Sequence, residues 1–377
     1  MKKMKVCLFG TYNAQYGRNS SMKMGLVQNG VEVTEVQKGT PIERMELPED
    51  FTLWKTVQRA WWKFSTYASL LFQIKAVLAG EYIFVLHPGH LDLPLAWILK
   101  IVGRKKLIFD TSISPYDTMF IGRSIADRKS LKAKTVKLVE GLLLRLPDKL
   151  FVDTEKMKEL IVKEFNIDEK KIFVVPLGAN DAVYKPGKKQ PDSNKTTVLF
   201  FGLYNPFHGT QHIMKSIQLL QDEKNVQFIM LGDGYLKESL IEFKNKNRLS
   251  NVKFVGFMPE EALVKQIQSA DILLGTFSNN PVFQRVIPNK VFAALACKKP
   301  LITAKMPPFQ ECFTHKKHLY FCEPENPESL AAALRTIIHD SPMRTYIAQE
   351  GYDLYRSRFT TKHIGQTLKQ ELEKLSR

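Results

Sequence analysis

Short runs of β-branched and aromatic residues alternate with longer amphipathic segments throughout the first half of the chain. Such runs predict buried strands, and the segments between them, with apolar residues three or four positions apart, predict helices. The predicted strands span residues 6–9, 31–36, 82–86, 106–110 and 150–153. This alternation of strand and helix is typical of an α/β protein with a parallel sheet.

The alternation stops near residue 184 and resumes near residue 196. The stretch 185–192, KPGKKQPD, is rich in proline, glycine and charge, as linkers are. Further strands are predicted at 198–201, 226–231, 252–257, 271–275, 301–303 and 319–321. The pattern therefore predicts two Rossmann-like, doubly wound parallel-sheet domains, residues 1–185 and 186–359, which face each other across a cleft. A last helix, in residues 360–377, is expected to pack across their interface.

Composition and charge narrow the possible partners and the cellular location. The 377-residue chain is 44% hydrophobic and carries a formal charge of +17, which implies a nucleic acid, an acidic membrane surface or a phosphorylated substrate. No stretch approaches the roughly 18 apolar residues of a membrane span, and the N-terminal apolar run is too short for a signal peptide. The four cysteines lack the spacing of a metal site or disulfide scaffold. We therefore expect a cytoplasmic protein, soluble or peripheral at the cytoplasmic face of the membrane.

Residues 202–210, GLYNPFHGT, lie between a predicted strand and a predicted helix. A glycine-bearing turn at such a place exposes backbone N–H groups and the positive end of the helix dipole, which suits a phosphate. Gly202 and Gly209 are therefore candidate phosphate-binding positions, although an ordinary strand-to-helix loop explains the same pattern. His208 and His212 share a helical face but lack the third ligand of a zinc site.

The run 285–303, RVIPNKVFAALACKKPLIT, predicts a helix followed by a strand. Pro288 and Asn289 favour a helix start, which places Lys290 in the first turn. A cation is unfavourable at that end of the helix dipole unless it binds an anion, so Lys290 is a candidate phosphate ligand. A solvated surface lysine is the alternative explanation.

These two segments, with 231–234 (LGDG) and 255–259 (VGFMP), resemble the donor half of the glycosyltransferase family 4 group. The amino-terminal half is similar in the segments 9–12, 18–19, 109–118, 153–154 and 175–179. The likeness covers nearly the whole chain in the expected order. It implies the GT-B fold and transfer of a sugar from a nucleotide-diphospho-sugar to an acceptor hydroxyl, with retention of configuration in most members.

The resemblance also implies where the donor binds. Lys290 is expected to hold the diphosphate, and Gly202 and Gly209 to line the donor cleft. Arg285 departs from the family pattern, but it adds a cation where the leaving diphosphate needs charge stabilisation, so we expect it to hold the diphosphate as well. The nucleotide is expected beside Gly232, Phe257, Met258 and Ala293. Metal-dependent glycosyltransferases of the other main fold hold a divalent cation with an Asp-x-Asp motif, and no such tripeptide occurs in this sequence. We therefore expect no metal and no other cofactor.

The run 285–303 departs from the family pattern at three positions. Family members usually carry two glutamates, the second of which holds the donor ribose, where this chain has Arg285 and Ala293. Lys298 replaces a glycine at a left-handed helix cap, which costs a side chain about 1 kcal/mol. Loss of the ribose contact weakens donor affinity about ten- to a hundredfold without removing the chemistry. An active enzyme is therefore favoured over a catalytically silent partner or scaffold of the same fold.

On the acceptor side, the first strand-to-helix loop, residues 10–17, is expected to face the cleft. The backbone of Gly10 and the side chain of Arg18 are candidate contacts to the diphosphate or the acceptor. Asp110 and Asp117 flank a turn after a strand, where one carboxylate would orient or deprotonate the acceptor hydroxyl. His87 also ends a strand and is a third catalytic candidate. The alternative explanation is that each carboxylate, taken by itself, is a turn or helix-cap residue.

Residues 51–80 combine basic and aromatic side chains and contain no acid: Lys55, Arg59, Lys63, Lys75, Trp54, Trp61, Trp62, Phe64, Tyr67 and Phe72. Such a helix suits an anionic lipid surface, and a core-facing helix with a basic outer side explains it equally. A second basic stretch, 123–137, extends the pattern. We expect a glycan or lipid-linked acceptor, in cell-surface polysaccharide or glycolipid assembly, and an anionic membrane surface as partner. No pattern typical of nucleic-acid binding is present.

Overall fold

The computed structural model describes residues 3–39, 65–187 and 195–376. The chain divides into two compact units, of which unit 1 comprises Met1–Pro176 and Thr361–Arg377, and unit 2 comprises Leu177–Thr360. This division lies before the boundary at 185/186 that the sequence suggested, because Leu177 and Ala179 are already buried in the core of unit 2. The chain therefore enters unit 2 before the charged stretch that resembles a linker.

Unit 1 contains a six-stranded sheet whose neighbouring strands are all parallel. Its strands are β1 (Lys5–Gly10), β2 (Glu32–Gln37), β3 (Tyr82–Val85), β4 (Lys106–Asp110), β5 (Lys149–Val152) and β6 (Ile172–Val174). Their order is β2-β1-β3-β4-β5-β6, so the direction of winding reverses between β1 and β3. The five predicted strands are confirmed, and β6 was not predicted.

The crossover helices of unit 1 lie on both faces of its sheet. They are α1 (Gly17–Gln28), α2 (Ile74–Ala79), α3 (Leu93–Gly103), α4 (Leu131–Leu143) and α5 (Glu155–Phe165). Connections between parallel strands are right-handed, and the chain passes from β3 to β4 to β5 in one direction across the sheet. Consequently α3 and α4 lie side by side on one face. The step from β1 to β2 runs the opposite way, which places α1 on the other face.

Unit 2 contains a second six-stranded parallel sheet. Its strands are β7 (Thr196–Phe201), β8 (Val226–Leu231), β9 (Val252–Val255), β10 (Ile272–Leu274), β11 (Leu301–Ala304) and β12 (Tyr320–Cys322). The order is β12-β11-β10-β7-β8-β9, with a reversal between β7 and β10. This is the strand order of dinucleotide-binding Rossmann domains. All strands predicted for this half are confirmed.

The helices of unit 2 are α6 (Thr210–Gln218), α7 (Lys237–Lys246), α8 (Glu260–Ser269), α9 (Asn289–Ala296), α10 (Pro307–Cys312), α11 (Pro327–His339) and α12 (Ser341–Arg358). Helix α9 is buried along its whole length after its first residue. A helix that is apolar all round belongs inside a protein, and the single charge within α9 is that of Lys290.

The last helix, α13 (Thr361–Ser376), packs against α1 in unit 1. Ile364, Leu368 and Leu372 on α13 are buried in the core of this unit. Gly25 of α1 and Gly365 of α13 lie so close that a Cβ on either would overlap the backbone of the other. The two helices therefore touch backbone to backbone, which only glycine permits.

Candidate functional site

The carboxyl ends of β7 and β10 lie side by side where the winding of the unit 2 sheet reverses. Ligands of doubly wound sheets bind in the crevice at this point. Lys290 Nζ lies 3.4 Å from the carbonyl O of Gly275, directly after β10. A Cβ on Gly202, directly after β7, would lie 3.2 Å from the same Nζ. The structure therefore brings Lys290 and Gly202, two predicted phosphate-binding residues, together at the ligand-binding edge.

Lys290 is buried in an apolar setting, with 7% of its surface exposed. Its Nζ lies 4.0 Å from the ring centre of Phe200, and no carboxylate of the described residues forms an ion pair with it. Burial lowers the pKa of Lys290 to about 7. A buried amine that lacks an anionic partner is costly to charge, and an anion bound beside it removes that cost. The surface-lysine explanation is excluded by this burial.

His208 lies next to Lys290, although the sequence suggested no role for it beyond weak metal binding. Its Nδ1 is 2.7 Å from the carbonyl O of Leu203; because a carbonyl can only accept, Nδ1 donates and Nε2 keeps its lone pair. Burial, with the nearby charge of Lys290, lowers the pKa of His208 to about 3. The ring stacks on Phe283 with centroids 5.8 Å apart. His208 is therefore a neutral, oriented hydrogen-bond acceptor at neutral pH.

Two of the predicted donor-site glycines are required for packing between loops. Gly209 caps α6 with φ 68°, and a Cβ there would lie 2.7 Å from the backbone of Phe277 and Ser278. Gly232 has φ 143°, and a Cβ there would overlap the carbonyl O of Gly202. Contact with a ligand is not needed to explain either glycine.

The remaining donor-side candidates lie on separate segments of unit 2. Arg285 stands on the turn that leads into α9, and its Nη1 donates to the carbonyl O of Pro281 at 2.6 Å. Phe257 is exposed on the loop after β9, whereas Met258 packs partly against the core. Ala293 is buried within α9, one turn after Lys290. The exposed ring of Phe257 offers an apolar surface that a base could contact.

The end of α9 has the conformation that the sequence predicted. Lys298 has φ 55°, in the left-handed region. The N–H of Lys298 donates to the carbonyl O of Leu295, and that of Lys299 to the carbonyl O of Ala294, both at 3.0 Å. These two bonds form a Schellman cap, whose left-handed position favours glycine. The fold therefore tolerates a lysine at a strained position.

Buried polar atoms without a partner also mark this edge of unit 2. Within the described ranges, the side-chain oxygens of Thr210, Thr276 and Asn289 are buried and form no hydrogen bond. Thr210 opens α6, Thr276 lies two residues after β10 and Asn289 opens α9. Folded proteins rarely leave such groups unpaired. Their placement around the reversal point is typical of a site that receives hydrogen bonds from a ligand.

In unit 1 the structure pairs two residues that the sequence treated separately. Arg18 Nε and Nη2 donate to the two carboxylate oxygens of Asp110, each at 2.7 Å. Arg18 Nη1 also donates to the carbonyl O of Val175 at 3.2 Å. Both side chains of the ion pair are almost fully buried. Breaking such a pair is costly, so neither phosphate binding by Arg18 nor proton transfer by Asp110 occurs while it is intact.

Gly10 also has a partner that the sequence did not suggest. A Cβ on Gly10, which has φ 120°, would lie 2.7 Å from Asp92 Oδ2. That buried carboxylate accepts hydrogen bonds from the backbone N–H and the hydroxyl of Thr11, at 2.7 and 2.8 Å. Because Gly10 has no side chain, the Asp92 carboxylate has room beside the first strand-to-helix loop, where we expected a diphosphate or an acceptor to bind.

The catalytic candidates His87 and Asp117 are both buried at the carboxyl edge of the unit 1 sheet. Burial, with the charge of Arg18, lowers the pKa of His87 to about 4, and its Nδ1 has no hydrogen-bond partner among the described residues. Glu140, which sequence reasoning missed, accepts a hydrogen bond from the N–H of Tyr116 at 2.8 Å. Burial raises the pKa of Glu140 to about 7, and the negative charge of Asp117 adds to the increase. A glutamate on an amphipathic helix gave no signal of burial.

Part of the predicted membrane-binding segment, residues 51–64, lies outside the described residues, as does 188–194 of the predicted linker. Along the described parts of the chain, no helix has both the length and the apolar character needed to cross a membrane. In the same parts, no three His, Cys, Asp or Glu side chains are grouped as metal ligands.

Comparisons with known proteins relate unit 2 to one protein family. Residues 185–354 match the model of the family described as glycosyl transferases group 1. The match lies within unit 2 and covers less than half of the chain. Over 98% of this chain and all of the other, the fold matches Anabaena Alr3699/HepE in complex with UDP, with a TM-score of 0.71 and 15% identity. Sucrose-phosphate synthase from Thermosynechococcus elongatus matches over 99% of both chains, with a TM-score of 0.72 and 15% identity.

The predicted GT-B fold and the predicted family, a GT-B glycosyltransferase, are thereby confirmed. Membership in family 4 stays a prediction. Among curated relatives, the probable glycosyltransferase WbjE of Pseudomonas aeruginosa is 21% identical over 222 residues, 56% of this chain and 55% of that protein. Glycogen synthase of Mycobacterium tuberculosis is 24% identical over 238 residues, 63% of this chain and 55% of that protein. The chain thus spans little more than half the length of the curated relatives it matches.

Proposed function

We propose that this protein transfers a sugar from a nucleotide-diphospho-sugar to an acceptor hydroxyl. The observation that carries the proposal is the buried Lys290, which faces the ligand-binding edge of the unit that matches the group 1 family and has no anionic partner among the described residues. A diphosphate would supply that partner. The structural relative HepE is described in complex with UDP and with UDP-glucose, which supports a nucleotide-sugar donor.

In the proposed reaction, the protein stabilises the charge that develops on the diphosphate when the sugar departs. Protonated Lys290 and the N–H groups at the start of α6 and α9 donate to the phosphate oxygens, and Arg285 adds a second cation. His208, with its free Nε2, accepts a hydrogen bond from the donor. We propose that the reaction retains configuration and proceeds without a metal ion.

The acceptor is proposed to bind at the carboxyl edge of the unit 1 sheet. His87 is the candidate catalytic residue there, because its ring nitrogen Nδ1 has no hydrogen-bond partner among the described residues. Asp110, in contrast, is paired with Arg18. The acceptor hydroxyl belongs to a glycan or a lipid-linked glycan of cell-surface assembly, at the cytoplasmic face of the membrane. A relative described as a putative teichuronic acid biosynthesis glycosyltransferase, TuaH of Bacillus subtilis, is 21% identical over 222 residues and supports this class of product.

The test is calorimetric binding of UDP, GDP, ADP and CMP to the whole chain. We expect one nucleotide to bind. Lys290→Ala is expected to weaken that binding at least about tenfold, because the diphosphate loses a charge-assisted hydrogen bond. Ala293→Glu is expected to tighten it about tenfold by restoring the ribose carboxylate found in relatives. Transfer assays with the sugars of the bound nucleotide follow.

Lys215→Ala is the matched control, because Lys215 is an exposed lysine of the same unit, on α6. Its nucleotide affinity is expected to equal that of the wild type. Equal binding by Lys290→Ala and the wild type would remove the basis of the proposed donor site.

A second candidate function is that of a catalytically silent partner with the same fold. Ala293 and Lys298 favour it, because one lacks the ribose carboxylate and the other strains the cap of the donor helix. Absence of binding by all four nucleotides at millimolar concentration, in wild type and in Ala293→Glu, would establish this alternative and exclude the transferase.

A further inference from the structure

Helix α4 presents an apolar stripe to solvent. Leu131, Leu138 and Leu142 are 81%, 64% and 56% exposed. At 100° per residue, their spacing of seven and then four places them within an arc of about 40° on one side of the helix. Exposed Lys134 flanks this stripe. An apolar stripe of this spacing ordinarily faces a protein core, so its exposure calls for a partner.

Helix α3 presents a second stripe of the same kind. Ile98 and Ile101 are each about half exposed and lie on one side of the helix, with Trp97 and Val102 exposed on either side of them. The opposite side of α3, including Leu93 and Leu99, is buried. The helix is therefore apolar on both sides, and only one of them packs against unit 1.

The two stripes share one face of unit 1, because α3 and α4 follow successive right-handed crossovers in the same direction. Helix α2 packs beside α3, and Phe72, two residues before the start of α2, is 90% exposed. Single exposed apolar residues are ordinary, whereas several on adjacent helices mark a binding surface.

The charges of this region are almost all positive. Over residues 91–145, eight exposed residues are Lys or Arg and the single exposed acid is Asp127. The basic residues include Arg104, Arg128, Lys129 and Lys134. The other acids in this range are buried. Leucine stripes bordered by cations match the boundary between acyl chains and anionic headgroups, whereas a nucleic acid offers no apolar surface to receive them.

We infer that the outer sides of α3 and α4 form a docking face for an anionic lipid bilayer. The leucine and isoleucine side chains enter the headgroup boundary, and the flanking lysines and arginines contact lipid phosphates. Unit 1 thereby rests on the membrane without crossing it. This docking face is the surface at which the membrane of the proposed function would bind, and the inference rests on that proposed function.

The test is flotation of the whole chain with phosphatidylglycerol-containing vesicles and with phosphatidylcholine vesicles. We expect the wild type to float with the anionic vesicles and to stay at the bottom with the neutral ones. The double variant Leu131→Asp/Leu138→Asp is expected to lower the bound fraction about tenfold or more. Lys129→Glu/Lys134→Glu is expected to bind less and to lose most of the salt dependence of binding.

Val27→Asp is the matched control, since Val27 is an exposed apolar residue of α1 on the opposite face of the same sheet. It is expected to float like the wild type. Nucleotide binding by unit 2 and the circular dichroism spectrum verify that each variant is folded. Wild-type protein that stays at the bottom while it binds nucleotide overturns the docking face and leaves the proposed function standing.

Two other occupants of the face give distinct results. If a second copy covers it, the wild type elutes as a dimer and Leu131→Asp/Leu138→Asp as a monomer. If residues 40–64 cover it, the double variant changes the protease sensitivity of that segment and leaves flotation unchanged. Either result overturns the inference.

Discussion

Burial of the Lys290 amine lowers the stability of the folded protein, and the same amine is the proposed ligand of the diphosphate. Its amine is charged in the unfolded chain at neutral pH, whereas burial in the folded protein lowers its pKa to about 7. Below pH 7 the folded protein carries the full cost of the buried charge. Between about pH 7 and pH 10.5 the unfolded chain binds more protons, so the contribution of Lys290 to stability becomes more favourable as pH rises.

We therefore expect Lys290→Met to stabilise the protein while it weakens nucleotide binding at least about tenfold. The gain in the free energy of unfolding is on the order of 2–4 kcal/mol near neutral pH and decreases toward about pH 10. Urea denaturation of both proteins at the two pH values measures it. Lys215→Met, at an exposed lysine, is expected to change stability little at either pH. A gain that does not depend on pH would contradict the assigned pKa.

At the scale of an element, helix α9 and its two ends determine the shape of the proposed donor site. Its start places Lys290, its buried length fixes the helix in the core, and its end carries a lysine where the Schellman cap favours glycine. The helix is therefore held by its packing despite an unfavourable cap.

We expect Lys298→Gly to increase stability by about 1 kcal/mol, because glycine adopts the left-handed conformation without the steric cost of a Cβ. Thermal denaturation measures the change, and nucleotide affinity is expected to remain that of the wild type. The opposite result is expected for Lys246→Gly, in the last turn of α7, which should lose up to about 1 kcal/mol. A loss of stability in Lys298→Gly would contradict the conclusion that Lys298 is strained in the left-handed conformation.

At the scale of the whole molecule, the sequence order and the spatial order differ. The segment after residue 360 returns to unit 1, where α13 contacts α1 through Gly25 and Gly365. Unit 1 therefore requires both ends of the chain, whereas unit 2 is built from one continuous segment. A change in α13 should affect the two units unequally.

We expect Gly365→Val to displace α13, because its side chain would overlap the backbone of Gly25. Overpacking of this kind costs about 1–3 kcal/mol. Hydrogen exchange should become faster in α1 and β1 and remain unchanged in α9, and nucleotide binding should persist. Gln366→Val, at an exposed neighbour on the same helix, is the control and should show wild-type exchange. Equal acceleration in both units would contradict the division.

Periodicity in the sequence was enough to predict most strands, because buried parallel strands are short continuous apolar runs with recognisable boundaries. Strand β6 was missed because its three residues are too few to show a period. The helix-start and glycine-turn patterns identified Lys290 and Gly202 as phosphate-binding candidates, and the resemblance supported both, since each lies in a contiguous motif. The resemblance also suggested Gly232, which the structure explains by its contact with Gly202.

The sequence by itself determined the two α/β units, the proposed donor motif of unit 2 and the excess of positive charge, since each is a property of neighbouring residues. Only the tertiary structure decided which side chains are partners. Arg18 and Asp110 are 92 positions apart, so no pattern within a local window of the sequence reveals that they form an ion pair. Burial is likewise decided in three dimensions: it lowers the pKa of Lys290, raises that of Glu140 and leaves the leucines of α4 in solvent, because packing depends on what the rest of the chain places beside each residue.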